Sequence, residues 1–302
     1  MKIGYPCINW TIGCKGDRTF RTFRLKSYSE NRLMETVENN LTCLLKILRF
    51  NVKEKILFFR ITSDIVPFAS HPICQFNWQE HFRTQFGRIG DFVKDHHIRI
   101  SMHPDQFTLI NSPSMEVFKA SLRELVYHAQ VLNLMELDST AKIQIHVGGI
   151  YGDKEESMKR FVHRYERMDE EPKRRLVVEN DDRLYELQDC LRISEETGIP
   201  VLFDCYHHQA HNSGGTVSDA FEFFTKTWEG KDGLPMVDYS SQEAGARKPR
   251  HAETIDLVDF GNFLAETSPF DCDVMLEIKD KEKSAQKAVG IALHDSRFFV
   301  PV

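Results

Sequence analysis

Nine side chains of the kinds that hold divalent cations stand where apolar runs of this sequence end. ISMHPDQF carries His103, IQIHVGG carries His146 and LVVENDD carries Glu179. VLFDCYHH supplies Asp204 and His207, PMVDYSS supplies Asp238 and VMLEIKD supplies Glu277; His71 follows SDIVPFAS, and His251 lies in ARKPRHAET. Taken singly, a histidine at such a place is usually a satisfied polar residue and a terminal aspartate a helix cap. Convergence changes that reading, because clustered carboxylates repel one another and undergo large pKa shifts unless cations compensate them. The donor set mixes imidazole with hard carboxylate and lacks cysteine. That suits manganese, zinc or iron better than a structural zinc cage or an all-oxygen calcium site, and points to more than one ion. Adjacent divalent ions are a recurring solution for phosphodiester hydrolysis: one lowers the pKa of the attacking water and others stabilise charge on the phosphoryl and leaving oxygens. His207 is preferred for its spacing from Asp204, with His208 as the alternative one residue on.

Such side chains need a scaffold that gathers strand ends at one place. Short β-rich runs alternate with longer stretches of helical period. Strands are expected at Lys2 to Tyr5, Leu57 to Ile61, Ile98 to Met102, Ile143 to Val147, Leu176 to Glu179, Val201 to Phe203, Met236 to Tyr239 and Val274 to Glu277. Helices are expected at Asn31 to Phe50, Trp78 to Lys94, Met115 to Leu132, Lys154 to Arg167, Arg183 to Glu196, Val217 to Trp228, Ile255 to Glu266 and Glu282 to Leu293. Ser27 with Glu30 has capping-box spacing, and Ser112 before Pro113 reads as another helix entry. The alternation predicts an α/β fold, a single (β/α)8 TIM barrel over residues 1–302, with a doubly wound open sheet as the alternative. In such a barrel the C-terminal strand ends carry function. His81, His128, His163 and His294 fall in helical stretches and His96 and His97 on the opposite rim, so surface positions are expected for all six.

The chain has 302 residues, 41% hydrophobic and 28% charged, enough to bury a large core. No stretch approaches the roughly 20 apolar residues of a membrane span, and MKIGYPCINW lacks a charged leader with a long apolar run. A soluble, intracellular, cytoplasmic protein is expected, with no membrane and no obligate protein partner. Seven scattered cysteines with no CxxC pair predict reduced thiols. The formal charge of −6 argues against bulk electrostatic coating of nucleic acid. A local basic surface is still expected: Lys15, Arg18, Arg21, Arg24 and Lys26 are interleaved with Phe20, Phe23 and Tyr28, and Arg247, Lys248 and Arg250 directly precede His251. Basic and aromatic residues together suit phosphate contact plus base stacking, and both clusters fall on the rim that carries the ligand candidates. Gln106 and Phe107 follow His103 and could wedge into a base stack, although composition alone favours ordinary loop packing for Phe107.

GYPCINW, SMHPDQFTLINSP, IHVGG, VVENDD, FDCYHH, SSQ with a later RHA, and LEIKDKE together resemble the UV-damage endonucleases, metal-dependent TIM barrels related in architecture to endonuclease IV. The resemblance spans nearly the whole chain. It implies incision of damaged double-stranded DNA immediately 5′ to UV photoproducts and other distorting lesions, leaving a 3′-hydroxyl. It also implies a cluster of two or three ions, Mn2+ first, with Zn2+ or Mg2+ as alternatives. His71, His103, His146, Glu179, Asp204, His207, His251 and Glu277 match the family's metal-binding residues, with Glu179, His71 and Glu277 assigned catalytic roles. Gln106 stands where the family has its probing glutamine and Phe107 where it typically has tyrosine; Tyr5 and Asn9 resemble residues lining the pocket for flipped nucleotides. The chain departs from the family at the seventh strand, where Met236 and Asp238 stand for a lysine that can be carboxylated and a histidine. Asp238 can ligate as a carboxylate; Met236 cannot replace the carboxylated lysine. Two rivals are a sugar isomerase or epimerase of the xylose-isomerase-like barrels, which would need no basic aromatic rim, and a lesion-binding barrel without catalysis.

Overall fold

A computed structural model describes residues 1–14, 22–212, 214–243, 245–246 and 250–301. Eight four- or five-residue strands, β1 (Ile3–Pro6), β2 (Phe58–Ile61), β3 (Arg99–Met102), β4 (Lys142–His146), β5 (Leu176–Glu179), β6 (Val201–Asp204), β7 (Met236–Tyr239) and β8 (Asp273–Leu276), form a closed parallel barrel in sequence order. Closure is direct, Ile3 pairing with Val274 and Gly4 with Met275. Almost every strand residue is buried, as near-continuous apolar runs require when one face lines the barrel and the other meets helices. The open-sheet alternative is thereby excluded.

The helices are α1 (Glu30–Lys53), α2 (Trp78–His81), α3 (Arg83–Asp95), α4 (Met115–Leu134), α5 (Lys154–Glu166), α6 (Glu170–Lys173), α7 (Leu187–Thr197), α8 (Cys205–Ala210), α9 (Val217–Phe224), α10 (Leu257–Glu266) and α11 (Glu282–Ala292). On α1 the buried stripe Leu33, Val37, Leu41, Leu44 and Leu48 follows helical spacing. Its cap is Ser29, whose side chain accepts from Arg32 N, and not Ser27, which lies in a 3-10 turn. Ser114, not Ser112, caps α4. The single helix expected from Trp78 to Lys94 is two, broken at Phe82 (φ −100°, ψ 6°). A straight helix separates residues eight apart by roughly 12 Å along its axis, whereas the Trp78 and Phe86 rings are centred 6.1 Å apart in the core.

The N-terminal end of the barrel is tied by ion pairs. Arg99, which opens β3, meets Asp273, which opens β8, at 2.9 Å, and Lys142, which opens β4, meets Asp232 at 2.5 Å. All four side chains are at most 5% exposed, and Trp228 lies beneath both cations. The expectation of reduced thiols fails for one pair: Cys14, after β1, is bonded to Cys43 of α1 with Cα atoms 6.0 Å apart. Partners 29 residues apart, one in a loop and one on a helix, carry no local signature. His128 is also corrected. It is fully buried, its ring nitrogens meeting Glu124 O and Ser63 Oγ. Among the described residues no helix is long and apolar enough to cross a membrane.

Candidate metal centre and active site

Glu179, the last residue of β5, lies at the middle of the barrel mouth and is 2% exposed. Strand register sets His146 beside it and Asp204 beside Asp238. The Nε2 atoms of His103 and His146 lie 3.6 and 3.8 Å from Glu179 Oε2. On the other side of the carboxylate, His207 Nδ1 is 3.4 Å from Glu179 Oε1 and 3.3 Å from Asp204 Oδ2. Asp204 is also a helix cap: its Oδ1 accepts from His207 N at 2.7 Å, which starts α8 in the position that turns His207 inward. The bland and the functional readings of Asp204 are thus both met by one side chain, and His207 rather than His208 belongs here. His208 instead packs against Phe203. Gly148 makes the turn after β4 possible; its φ of +116° suits glycine, and a Cβ there would strike Asn111 Oδ1.

Ligand-capable atoms gather into three groups, His103–His146–Glu179, Glu179–Asp204–His207 and Asp204–Asp238–Glu277, with the atoms of each group within 4.8 Å of one another. Seven of the nine sequence candidates are in these groups. The two others lie outside them among the described residues. His71 is exposed in the loop after β2, its Nδ1 accepting from Ile73 N at 3.0 Å, and it lines a cavity of about 570 Å³ together with Thr62, Phe68, His103 and Phe107. His251 faces Glu277 Oε2 across 3.9 Å. Ser240 Oγ donates to Glu277 O, so it accepts from His251 Nδ1–H at 2.8 Å, and the unprotonated Nε2 is the atom turned toward Glu277.

Two participants were not foreseen. Arg60, the third residue of β2, donates to both Asp238 oxygens at 2.7 Å and to Glu277 Oε1 at 2.5 Å. Gln144, two residues before His146 on the same strand face, donates to Glu179 Oε2 at 2.7 Å and Asp238 Oδ2 at 2.9 Å. A charged residue inside LFFRIT was the signal for the first; the alternation of Gln144 and His146 in KIQIH was the signal for the second.

Burial pushes the Glu179 carboxyl up, but His146, the His207 hydrogen bond and His103 outweigh it and hold the group below the ordinary carboxylate range. Burial pushes His103 down to about 4, leaving it a neutral donor at ordinary pH. For His207, Asp204 and Glu179 overcome burial and carry the ring up to about 11. His103 Nδ1 and His146 Nδ1 are buried without a hydrogen-bond partner. Two neutral-capable imidazoles and a buried carboxylate shared between two donor groups fit divalent cations of the imidazole–carboxylate class.

Around this centre the expected substrate-facing residues divide. Phe107 is 72% exposed and Gln106 is also exposed, at a turn closed by Thr108 N donating to Asp105 O. Tyr5 and Asn9 are fully buried, so their side chains do not line an open pocket. Tyr5 OH donates to Asn51 Oδ1 and accepts from Asn9 Nδ2, and Asn9 Oδ1 accepts from Ile12 N; the pair supports the loop after β1 from beneath. Glu282 of α11 holds the same loop, accepting from Trp10 N, Thr11 N and Thr11 Oγ1 at 2.8–3.0 Å. Arg24 is exposed, and Arg250 is exposed with Nε 2.6 Å from Glu243. Arg18, Arg21, Arg247 and Lys248 lie outside the described residues.

The sequence profile described as UV-endonuclease UvdE matches residues 1–294. This chain belongs to the UV-endonuclease family. A UV DNA damage endonuclease of Clostridium perfringens (strain 13 / Type A) is 38% identical over 292 residues, covering 96% of this chain and 70% of that protein. The crystal structure of SacUVDE superposes with a TM-score of 0.92 at 44% identity, covering 97% and 98% of the two chains. D-psicose 3-epimerase from Clostridium cellulolyticum H10 superposes with a TM-score of 0.56 at 12% identity, covering 83% and 92%. That last likeness is one of barrel fold alone. UV-endonuclease membership makes the chain a nuclease of DNA repair and sets the isomerase reading aside.

Proposed function

We propose that this enzyme hydrolyses the phosphodiester immediately 5′ to UV photoproducts and other distorting lesions in double-stranded DNA, leaving a 3′-hydroxyl, with divalent cations, Mn2+ first, at the barrel mouth. The observation that carries the reading is Glu179, one buried carboxylate common to two donor groups. His103 and His146 would hold one cation with it, and Asp204 and His207 a second. When bound, such ions polarise the scissile phosphate and lower the pKa of the attacking water. Gln144 fixes the Glu179 carboxylate against Asp238, and Asp204 fixes His207 through the helix cap, so the donors are oriented before substrate arrives. Gln106 and Phe107 project beside the cavity that His71 and His103 border, where they can fill the gap left by displaced bases.

Incubation of the purified enzyme and Mn2+ with an irradiated duplex, followed by mapping of both new termini, tests the reading. A nick 5′ to the lesion with a 3′-hydroxyl is the expected product. Retention of the duplex without a nick would leave a binding protein, and neither nicking nor retention would remove DNA as the substrate.

Phe107→Ala should lower the ratio of nicking on irradiated over undamaged duplex by about tenfold to a hundredfold, from roughly 1–3 kcal/mol of stacking per base. An unchanged ratio would return Phe107 to the role of a loop residue. Cation affinity should rise with pH: His207 holds its proton up to about pH 11 in the cation-free protein, and ligation requires the neutral ring. Binding at the His207 position therefore releases at least the His207 proton below that pH, and the Asp204 carboxyl, raised by burial, adds to the release. Calorimetric titration of Mn2+ in buffers of different ionisation enthalpy measures the release; a value near zero at pH 7 would take His207 out of the ligand set.

A further inference from the structure

Of the three donor groups at the mouth, the third already contains a cation that belongs to the chain itself. We propose that the Arg60 guanidinium is a built-in third cation, which neutralises Asp238 and Glu277 and limits the centre to two divalent ions, both bound through Glu179. The inference rests on the metal-dependent reading above and adds the number of ions and the residue that sets it.

Three observations lead here. The guanidinium engages both oxygens of Asp238, Arg60 Nη2 lying 2.7 Å from each, and Gln144 donates to one of them as well. The same guanidinium reaches Glu277 Oε1 through Nη1, so it spans the two carboxylates a third ion would have to share. Arg60 is also held inside the barrel: it is 3% exposed, β2 is hydrogen-bonded to β1 and β3 on its two edges, and the guanidinium is tied to Asp238 and Glu277. An arginine is charged at any working pH and forms a fixed fork matched to carboxylates, so it is a permanent counter-ion, not an exchangeable one.

Charge counting favours the same answer. With ions bound, ionised Glu179, Asp204, Asp238 and Glu277 would bring four negative charges to the mouth, whereas burial raises the Asp204 and Asp238 carboxyls above the usual range in their absence. The guanidinium and two divalent ions bring five positive charges, leaving a net single positive charge for an incoming phosphodiester. A third divalent ion beside the guanidinium would leave three, crowded into a largely buried space where like charges repel strongly.

The test is a count of bound Mn2+ on the full chain, stripped with chelator, loaded with Mn2+, freed of excess and measured by inductively coupled plasma mass spectrometry. About two ions per chain are expected for the parent. Arg60→Met, which keeps the length and removes the charge, should raise the count to about three; a parent count of three, or a variant that stays at two, would overturn the proposal. If Arg60→Met fails to fold, Asp238→Asn decides: an unchanged count supports Arg60 as the partner of Asp238, and the loss of an ion makes Asp238 a ligand and overturns it. A parent that binds no Mn2+ removes the metal-dependent reading itself, an outcome distinct from a parent that binds three.

Discussion

Glu179→Ala is expected to lower nicking of irradiated duplex by about 10³-fold, the scale on which loss of one preorganised electrostatic group is felt. The size follows from position. Glu179 is 2% exposed and stands within 3.8 Å of His103, His146 and His207. Removing it leaves three imidazoles without the carboxylate around which they are arranged, and Gln144 loses one of its two acceptors. Cation affinity and cleavage should fall together. Glu179→Gln separates charge from packing: it keeps the side-chain volume and a carbonyl oxygen, so a comparable loss in that variant assigns the effect to charge. Cleavage within tenfold of the parent in either variant would mean that the ions are not held through this residue.

The second large effect is on stability, at the other end of the barrel. Asp232→Ala should cost about 3–5 kcal/mol by urea unfolding, the usual result of stranding one member of a buried ion pair. Lys142 Nζ lies 2.5 Å from Asp232 and the lysine side chain is fully buried; its other hydrogen-bond acceptor is Arg174 O. Burial lowers the Lys142 pKa while Asp232 raises it, with burial the larger influence. Without Asp232 the folded-state pKa falls further below the unfolded value. The penalty is then fully present below that folded-state pKa and fades as the pH rises from it through the ordinary lysine value of 10.5, above which both states are neutral. Asp232→Leu combined with Lys142→Met should recover most of the loss. A single-variant cost below about 1 kcal/mol would place the pair among interactions that position strands without stabilising them.

Much of the barrel was legible because its strands obey a simple demand. β5 and β7 coincide with the expected Leu176 to Glu179 and Met236 to Tyr239, both bounded runs that must be buried on two faces. The gathering of His103, His146, Glu179, Asp204 and Glu277 was legible for a related reason, since a polar residue at the end of such a run has only the barrel mouth to face. Local caps were misread where two serines compete within a few residues, as Ser112 and Ser114 do, because capping depends on backbone angles that neighbours set. Arg60 was illegible as a partner of Asp238: the pair is 178 residues apart, on strands that do not pair with each other, and only closure of the sheet brings them together. Tyr5 and Asn9 were misplaced because an aromatic in a strand and an amide in the loop that follows it can as well support that loop from inside as display themselves on it.

The hold that Glu282 keeps on Trp10 and Thr11 has a consequence for biosynthesis. Glu282 lies 272 residues after Trp10 and 271 after Thr11, so α11 is synthesised long after the loop it anchors. A nascent polypeptide could pair several strands yet still lack the anchor for its foremost loop. The loop is therefore fastened only once α11 has been made, and a product terminated before α11 would carry an unfastened loop open to proteases.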